Sequence, residues 1–166
     1  MTALDLDRFR RMCRQFRWLS IFMVISVGAM LLLAHLVFPV LNWLINGRAM
    51  DAQHTAISLI WLTPAVFYLF AVWSIGRAMG QLANGRLIQP TLASALRRVG
   101  LSVGLGAVFT VFLMTNLLRA AGAAKGGYLN FDVGAMTLGM IGGALFLLGR
   151  VVDQADRVQA EMDEMI

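Results

Sequence analysis

Charge is scarce in this chain. Asp, Glu, Lys and Arg make up 14% of its 166 residues, where a typical soluble domain carries about a quarter. Apolar residues make up 59%, and the mean hydropathy is +0.73. A chain this short cannot hide such an excess in a water-soluble core. A soluble single-domain enzyme is thereby excluded, and a small integral membrane protein is expected. Cysteine is scarcer still: Cys13 stands alone, which excludes an intramolecular disulfide and a Cys-based zinc site. Histidine occurs only as His35 and His54. Proline occurs three times, so few positions interrupt a long helix.

What is present is four long apolar runs, over about 19–45, 56–76, 99–118 and 133–149. The first would make about 40 Å of helix, more than the roughly 30 Å hydrocarbon core. It must tilt, kink or protrude, and Pro39 is its natural kink. It is also too long for the apolar stretch of a signal peptide and reads as a retained helix. Asp132 and Arg150 bracket the fourth run. The fold class expected is all-α, an integral membrane four-helix bundle forming one polytopic domain over 1–166.

The net charge of +5 would suggest an anionic partner in a soluble protein. Here the basic residues read as topological signals at headgroups. Eleven of the fourteen Lys and Arg residues fall in the amino-terminal tail, in the segment between spans two and three, and after span four. Arg48, Arg119 and Lys125 lie on the other side. By the positive-inside rule both termini are cytoplasmic.

Three amphipathic helical extensions are expected on that face. In 4–18, Phe9, Met12, Cys13 and Phe16 recur at helical spacing between arginines, as in a helix lying at the headgroups. In 91–98, Leu92, Ala95 and Leu96 oppose Arg97 and Arg98. In 150–166, Val151, Ala155, Val158, Met162 and Met165 alternate steps of four and three, the spacing of a coiled-coil seam. That tail carries −3 and the amino-terminal tail +3, which invites pairing. The seam can pack on 91–99, on a second copy or on a cytoplasmic partner.

The run Leu82-Ala83-Asn84-Gly85-Arg86-Leu87-Ile88-Gln89-Pro90-Thr91, followed by Leu96-Arg97-Arg98-Val99-Gly100, resembles the cytoplasmic loop of a bacterial four-span family. That family is the domain of unknown function numbered twenty-nine seventy-five. The ending Glu161-Met162-Asp163-Glu164-Met165-Ile166 is similar to the family's acidic terminus. Ile88 stands where many members have an aromatic residue. The resemblance implies four helices with both ends cytoplasmic and no established activity. Relatives are often encoded beside small helix-turn-helix regulators, which implies a regulatory partner.

Chemistry inside the membrane has one candidate. His35 is the only ionisable side chain within a span, and such residues are functional candidates by default. The alternatives are a place in a transport pathway and a neutral histidine bonded to a neighbouring helix. Small residues suggest helix packing: Gly100 and Gly104, with the offset row Ser102, Gly106 and Thr110, on span three, and Ala135, Gly139 and Gly143 on span four. They serve contact between these spans or between copies. No nucleophile–base pair, paired carboxylates, phosphate loop or metal-ligand cluster is found, so no enzyme, cofactor or metal is expected. The chain has no room for a DNA-reading domain, and direct contact with nucleic acid is not expected.

The function expected is an interaction or regulatory subunit of the membrane, working through its cytoplasmic face. The residues singled out are Arg86, Arg97, Arg98, Val158, Glu161 and Met162. The partner is a second copy or a cytoplasmic regulatory protein. The alternative is a small oligomeric transporter or channel with His35 in its pathway.

Overall fold

A computed structural model describes residues 3–46, 52–84, 88–123 and 129–163. Arg86, Glu164 and Met165 lie outside the described residues. The described residues form six α-helices and two single π turns: α1 (Ala3–Leu32), α2 (Phe38–Asn46), α3 (Ala52–Ala83), α4 (Ile88–Val108), α5 (Met114–Ala120) and α6 (Val133–Asp163). The π turns, Leu33–Val37 and Phe109–Leu113, join α1 to α2 and α4 to α5. The result is four continuous rods, each long and apolar enough to cross a membrane. The fold is all-α, as the sequence predicts.

The rods are longer than the apolar runs because little stops them. The segment 4–18 is the beginning of α1 and continues without a break into the first span. It therefore projects along the axis of that span instead of lying flat as a separate surface helix. Of its expected apolar face only Cys13 is buried, and Phe9, Met12 and Phe16 are exposed. Likewise 91–98 is part of α4 and the acidic tail is the end of α6. His54, which precedes the second apolar run, falls in the first turn of α3.

Pro39 is accommodated by the first π turn. A proline has no N–H, and its ring crowds the carbonyl four residues earlier, here that of His35. Widening the turn immediately before it, with Phe38 N–H donating to Leu33 O, carries the helix past this obstacle. Pro64 sits inside α3, where Thr63 Oγ1 donates to Leu59 O at 2.9 Å. The helix ends are conventional. Ala123 N–H donates to Leu118 O and Gly122 N–H to Arg119 O, with Gly122 at φ 74°; this is the Schellman stop, which favours glycine at the left-handed position. Asp132 caps α6, its Oδ1 accepting from Gly134 N–H at 2.9 Å and Ala135 N–H at 3.2 Å.

Neighbours in sequence are neighbours in space. α1 packs on α3, α3 on α4, and α4 on α6, all antiparallel, and no comparable packing joins α1 to α6 among the described residues. Both termini lie at one end, called here the terminal end. The tightest pair is α4 with α6. A β-carbon on Gly142 would lie 2.6 Å from Gly104 N and 2.8 Å from Gly100 O. One on Gly100 would lie 2.5 Å from Gly142 O. The two backbones touch, which only small residues permit.

The glycine expectations need correction here. Gly143 faces open space, while its neighbour Gly142 makes the contact. Gly104 contributes backbone to the contact, but its own Cβ position is open. Gly139 approaches Ala107 as expected, at 3.2 Å. The offset row on span three serves a different neighbour: Gly106 meets Phe67 and Tyr68 of α3.

Candidate functional site

The terminal end of the bundle gathers the start of α1, the end of α3, the start of α4 and the end of α6. Its α4–α6 edge grows out of the glycine contact. Going down α6 from the buried Ala135, the residues turned to α4 step by three and four: Gly139, Gly142, Phe146, Gly149, Asp153. A β-carbon on Gly149 would lie 2.7 Å from Arg97 Cγ and 2.9 Å from Ala93 O. Gly149 thus seats the stem of Arg97, and one turn on Asp153 receives its guanidinium, Arg97 Nη1 donating to Oδ2 at 3.3 Å. Arg157 approaches the same oxygen at 3.8 Å from the next turn of α6. Arg150, still on α6, lies over the Phe146 ring, 5.6 Å from its centroid, as a cation on an aromatic face.

This arrangement revises two expectations. Arg97, singled out as a partner-binding residue, is engaged within the chain. The acidic tail pairs with α4 and not with the basic amino-terminal tail, because α1 and α6 stand at opposite sides of the row. Arg98 is exposed, with its carbonyl accepting from Ser102 Oγ at 2.7 Å. More than a third of each partner of the Arg97–Asp153 pair is in contact with solvent, with side-chain exposures of 42% and 35%, so its worth is modest. Replacing both by alanine, singly and together, is expected to give a coupling energy of about 0.5–1 kcal/mol in detergent melting experiments, against none for Arg98 with Asp153.

The opposite face of α6 is open. Val151, Val158 and Met162 are 62%, 49% and 52% exposed, and Ala155 is exposed with them. Together with Gln154 and Gln159 they line a shallow groove. Packing of this seam on 91–99 is therefore not what the chain does: α4 takes the other face of the same helix. Glu161 lies at the edge of the stripe with Arg150 and Arg157.

His35 stands in the first π turn, half-buried, with Nδ1 at 3.2 Å from Leu31 O. Its partner is a carbonyl of its own helix and not one on a neighbouring helix. No cluster of three His, Cys, Asp or Glu is found among the described residues.

A feature the sequence reading missed is a cavity of about 280 Å³ between α1 and α3 at the terminal end, lined by Arg17 and Arg77 among others. The signal was there, since Gly76 and Gly80 recur at i and i+4 beside Arg77. Gly76 admits Ser20, whose Cβ is 2.8 Å from where a β-carbon would stand. Gly80 admits the Arg17 side chain, with Cδ at 2.9 Å and Nη1 at 3.2 Å from the same construction.

Residues 15–166 match the family described as protein of unknown function (DUF2975). The chain belongs to that family, the one its loop and acidic ending resemble. No curated protein and no solved structure matches it.

Proposed function

We propose that the protein is an interaction or regulatory subunit of a bacterial inner membrane, with both termini in the cytoplasm. The distribution of arginine supports the orientation. The observation that carries the function is the state of α6: one face is filled by α4 while the apolar stripe on the other face stays open well past the first charge, Arg150. A hydrocarbon core of about 30 Å takes in about 20 residues from Val133. Val158 and Met162 then stand about 9 and 15 Å beyond it. Lipid does not cover them there, and water penalises apolar surface by about 25 cal/mol per Å².

The occupant that fits is a helix of a cytoplasmic protein, apolar along one face. Arg150 and Arg157 border the stripe two turns apart, which suits acidic residues seven apart on that helix. Of the two readings carried from the sequence, transport through His35 has the weaker support, because the ring bonds within its own helix.

A photo-crosslinking residue at position 158 in living cells tests the proposal. Capture of a cytoplasmic protein is expected, with none from position 152, on another face of α6. A product of twice the chain mass assigns the stripe to a second copy and overturns the heterologous partner. Absence of any product at 158 overturns docking on this stripe. Reporter fusions at Ala83 and Gly126, active and inactive respectively for a cytoplasm-only reporter, check the orientation.

A further inference from the structure

The cavity between α1 and α3 has a gradient of chemistry along its wall. Trp73 and Ile21 are its apolar end, Arg17 and Arg77 its middle, and Gln81 and Asn84 its polar end. Trp73, Arg77 and Gln81 of α3, with Asn84 directly after its last residue, make one row stepping by four, four and three, about 17 Å in length. This order follows the order of a membrane leaflet: hydrocarbon, phosphate, water. Trp73 falls where aromatic residues mark the interface.

The two guanidiniums come from different helices, and no carboxylate lines the cavity among the described residues. Among the described residues the ion pairs are those of Asp153 with Arg97 and Arg157, so neither Arg17 nor Arg77 is neutralised in this way. The placement of Arg17 is built in. Its side chain lies against the bare backbone of Gly80, in space that any β-carbon would contest. The fork of an arginine matches phosphate oxygens in a way a lysine does not. The Gln81 and Asn84 amides add neutral N–H donors beside them.

We propose that this cavity binds a phosphate group, supplied by the headgroup of an anionic phospholipid in the leaflet at the terminal end. The acyl chains then run along Trp73 and Ile21, and the phosphate bridges Arg17 of α1 to Arg77 of α3. The proposal is independent of what covers the α6 stripe.

The test uses the full chain in mild detergent. The probes are phosphatidylglycerol with brominated acyl chains, phosphatidylcholine brominated in the same way, and inorganic phosphate. Quenching of tryptophan fluorescence is read against the Trp73→Phe variant, which isolates the signal of the cavity. Phosphatidylglycerol is expected to quench Trp73 in preference to phosphatidylcholine. Arg17→Gln and Arg77→Gln are each expected to weaken it about tenfold, the worth of one charge-assisted hydrogen bond. Gly80→Ala keeps both charges and displaces only the Arg17 side chain, so it should also weaken binding. Arg8→Gln, elsewhere on α1, should not. Inorganic phosphate that displaces the lipid at equal concentration assigns the site to a soluble phosphate and overturns the lipid as its source. Equal quenching by both lipids, or equal loss on Arg8→Gln, shows general attraction to a basic surface and overturns the site.

Discussion

Gly142→Ala is expected to be among the most damaging single-methyl additions to the protein. The new carbon would stand 2.6 Å from Gly104 N and 2.8 Å from Gly100 O. These are backbone atoms of α4, so no side-chain rotation relieves the contact and the two rods must separate. Overpacking of this kind costs about 1–3 kcal/mol. Separation also loosens the seat of Arg97 on Gly149, two turns further along the same contact. Gly100→Ala should behave alike, with its carbon 2.5 Å from Gly142 O and Phe146 N. Gly143→Ala is the control. Nothing lies within 4 Å of its Cβ position, and alanine favours a helix by about 1 kcal/mol over glycine, so this variant should melt no lower than the parent. Thermal unfolding in detergent decides the matter. A loss at Gly143 equal to that at Gly142 would mean that a different face of α6 meets α4.

The contrast between these adjacent glycines shows what the sequence could disclose and what it could not. The four spans, their order and the ends of α3 at Ala83 and of α6 at its amino-terminal cap are visible in hydropathy and in Asn84 and Asp132. The period of the α6 seam is visible too. Its phase is not. The rows Ala135, Gly139, Gly142, Phe146, Gly149, Asp153 and Val151, Ala155, Val158, Met162 share one alternation of four and three. They stand on nearly opposite sides of the helix. Inside the membrane, where the row from Ala135 to Gly149 lies, lipid is as apolar as leucine, so apolarity does not distinguish a packed face from a lipid-facing one, and residue size does. Reading i, i+4, i+8 from Ala135 selects Gly143. Each step of four, however, turns about 40° past a full circle on a helix of 3.6 residues per turn. Two steps of four leave the contact face, whereas four followed by three returns to it at Gly142.

The Arg97–Asp153 pair was hidden for a related reason. Its members are 56 residues apart, and net charge alone matched the acidic tail with the amino-terminal arginines. Once Gly142 is set against Gly100, antiparallel counting places Gly149 beside Ala93, and the Arg97 side chain, leaning toward the amino-terminal end of α4, passes Gly149 to reach Asp153. The register of the glycines is therefore the information from which the ion pair follows. The cavity on α1 depends on register in the same way, with Ser20 against Gly76 and Arg17 against Gly80.

The second large effect is expected at Asn130, through its backbone. The π turn of Phe109–Leu113 has no proline beside it to explain it. Within it a carbonyl is bonded from outside the helix: Val111 O accepts from Asn130 N–H at 3.1 Å. Asn130 O in turn accepts from Asp132 N–H at 2.9 Å, and Asp132 caps α6. A short chain of hydrogen bonds thus ties the start of α6 to the widened turn of the preceding rod. Asn130→Pro removes the N–H and leaves Val111 O without it. Val111 is buried, at 5% exposure, and the loss of a hydrogen bond there costs about 0.5–1.5 kcal/mol. Asn130→Ala keeps the N–H and should leave stability within about 0.5 kcal/mol of the parent, as for a surface substitution. Hydrogen exchange distinguishes a local effect from a global one. The proline variant should expose the amides of the first turns of α6 and of 111–116 to faster exchange, with α1 and the end of α3 protected as before. Equal melting temperatures for the proline and alanine variants would show that the Asn130 N–H holds nothing in place, and the π turn would then need another cause.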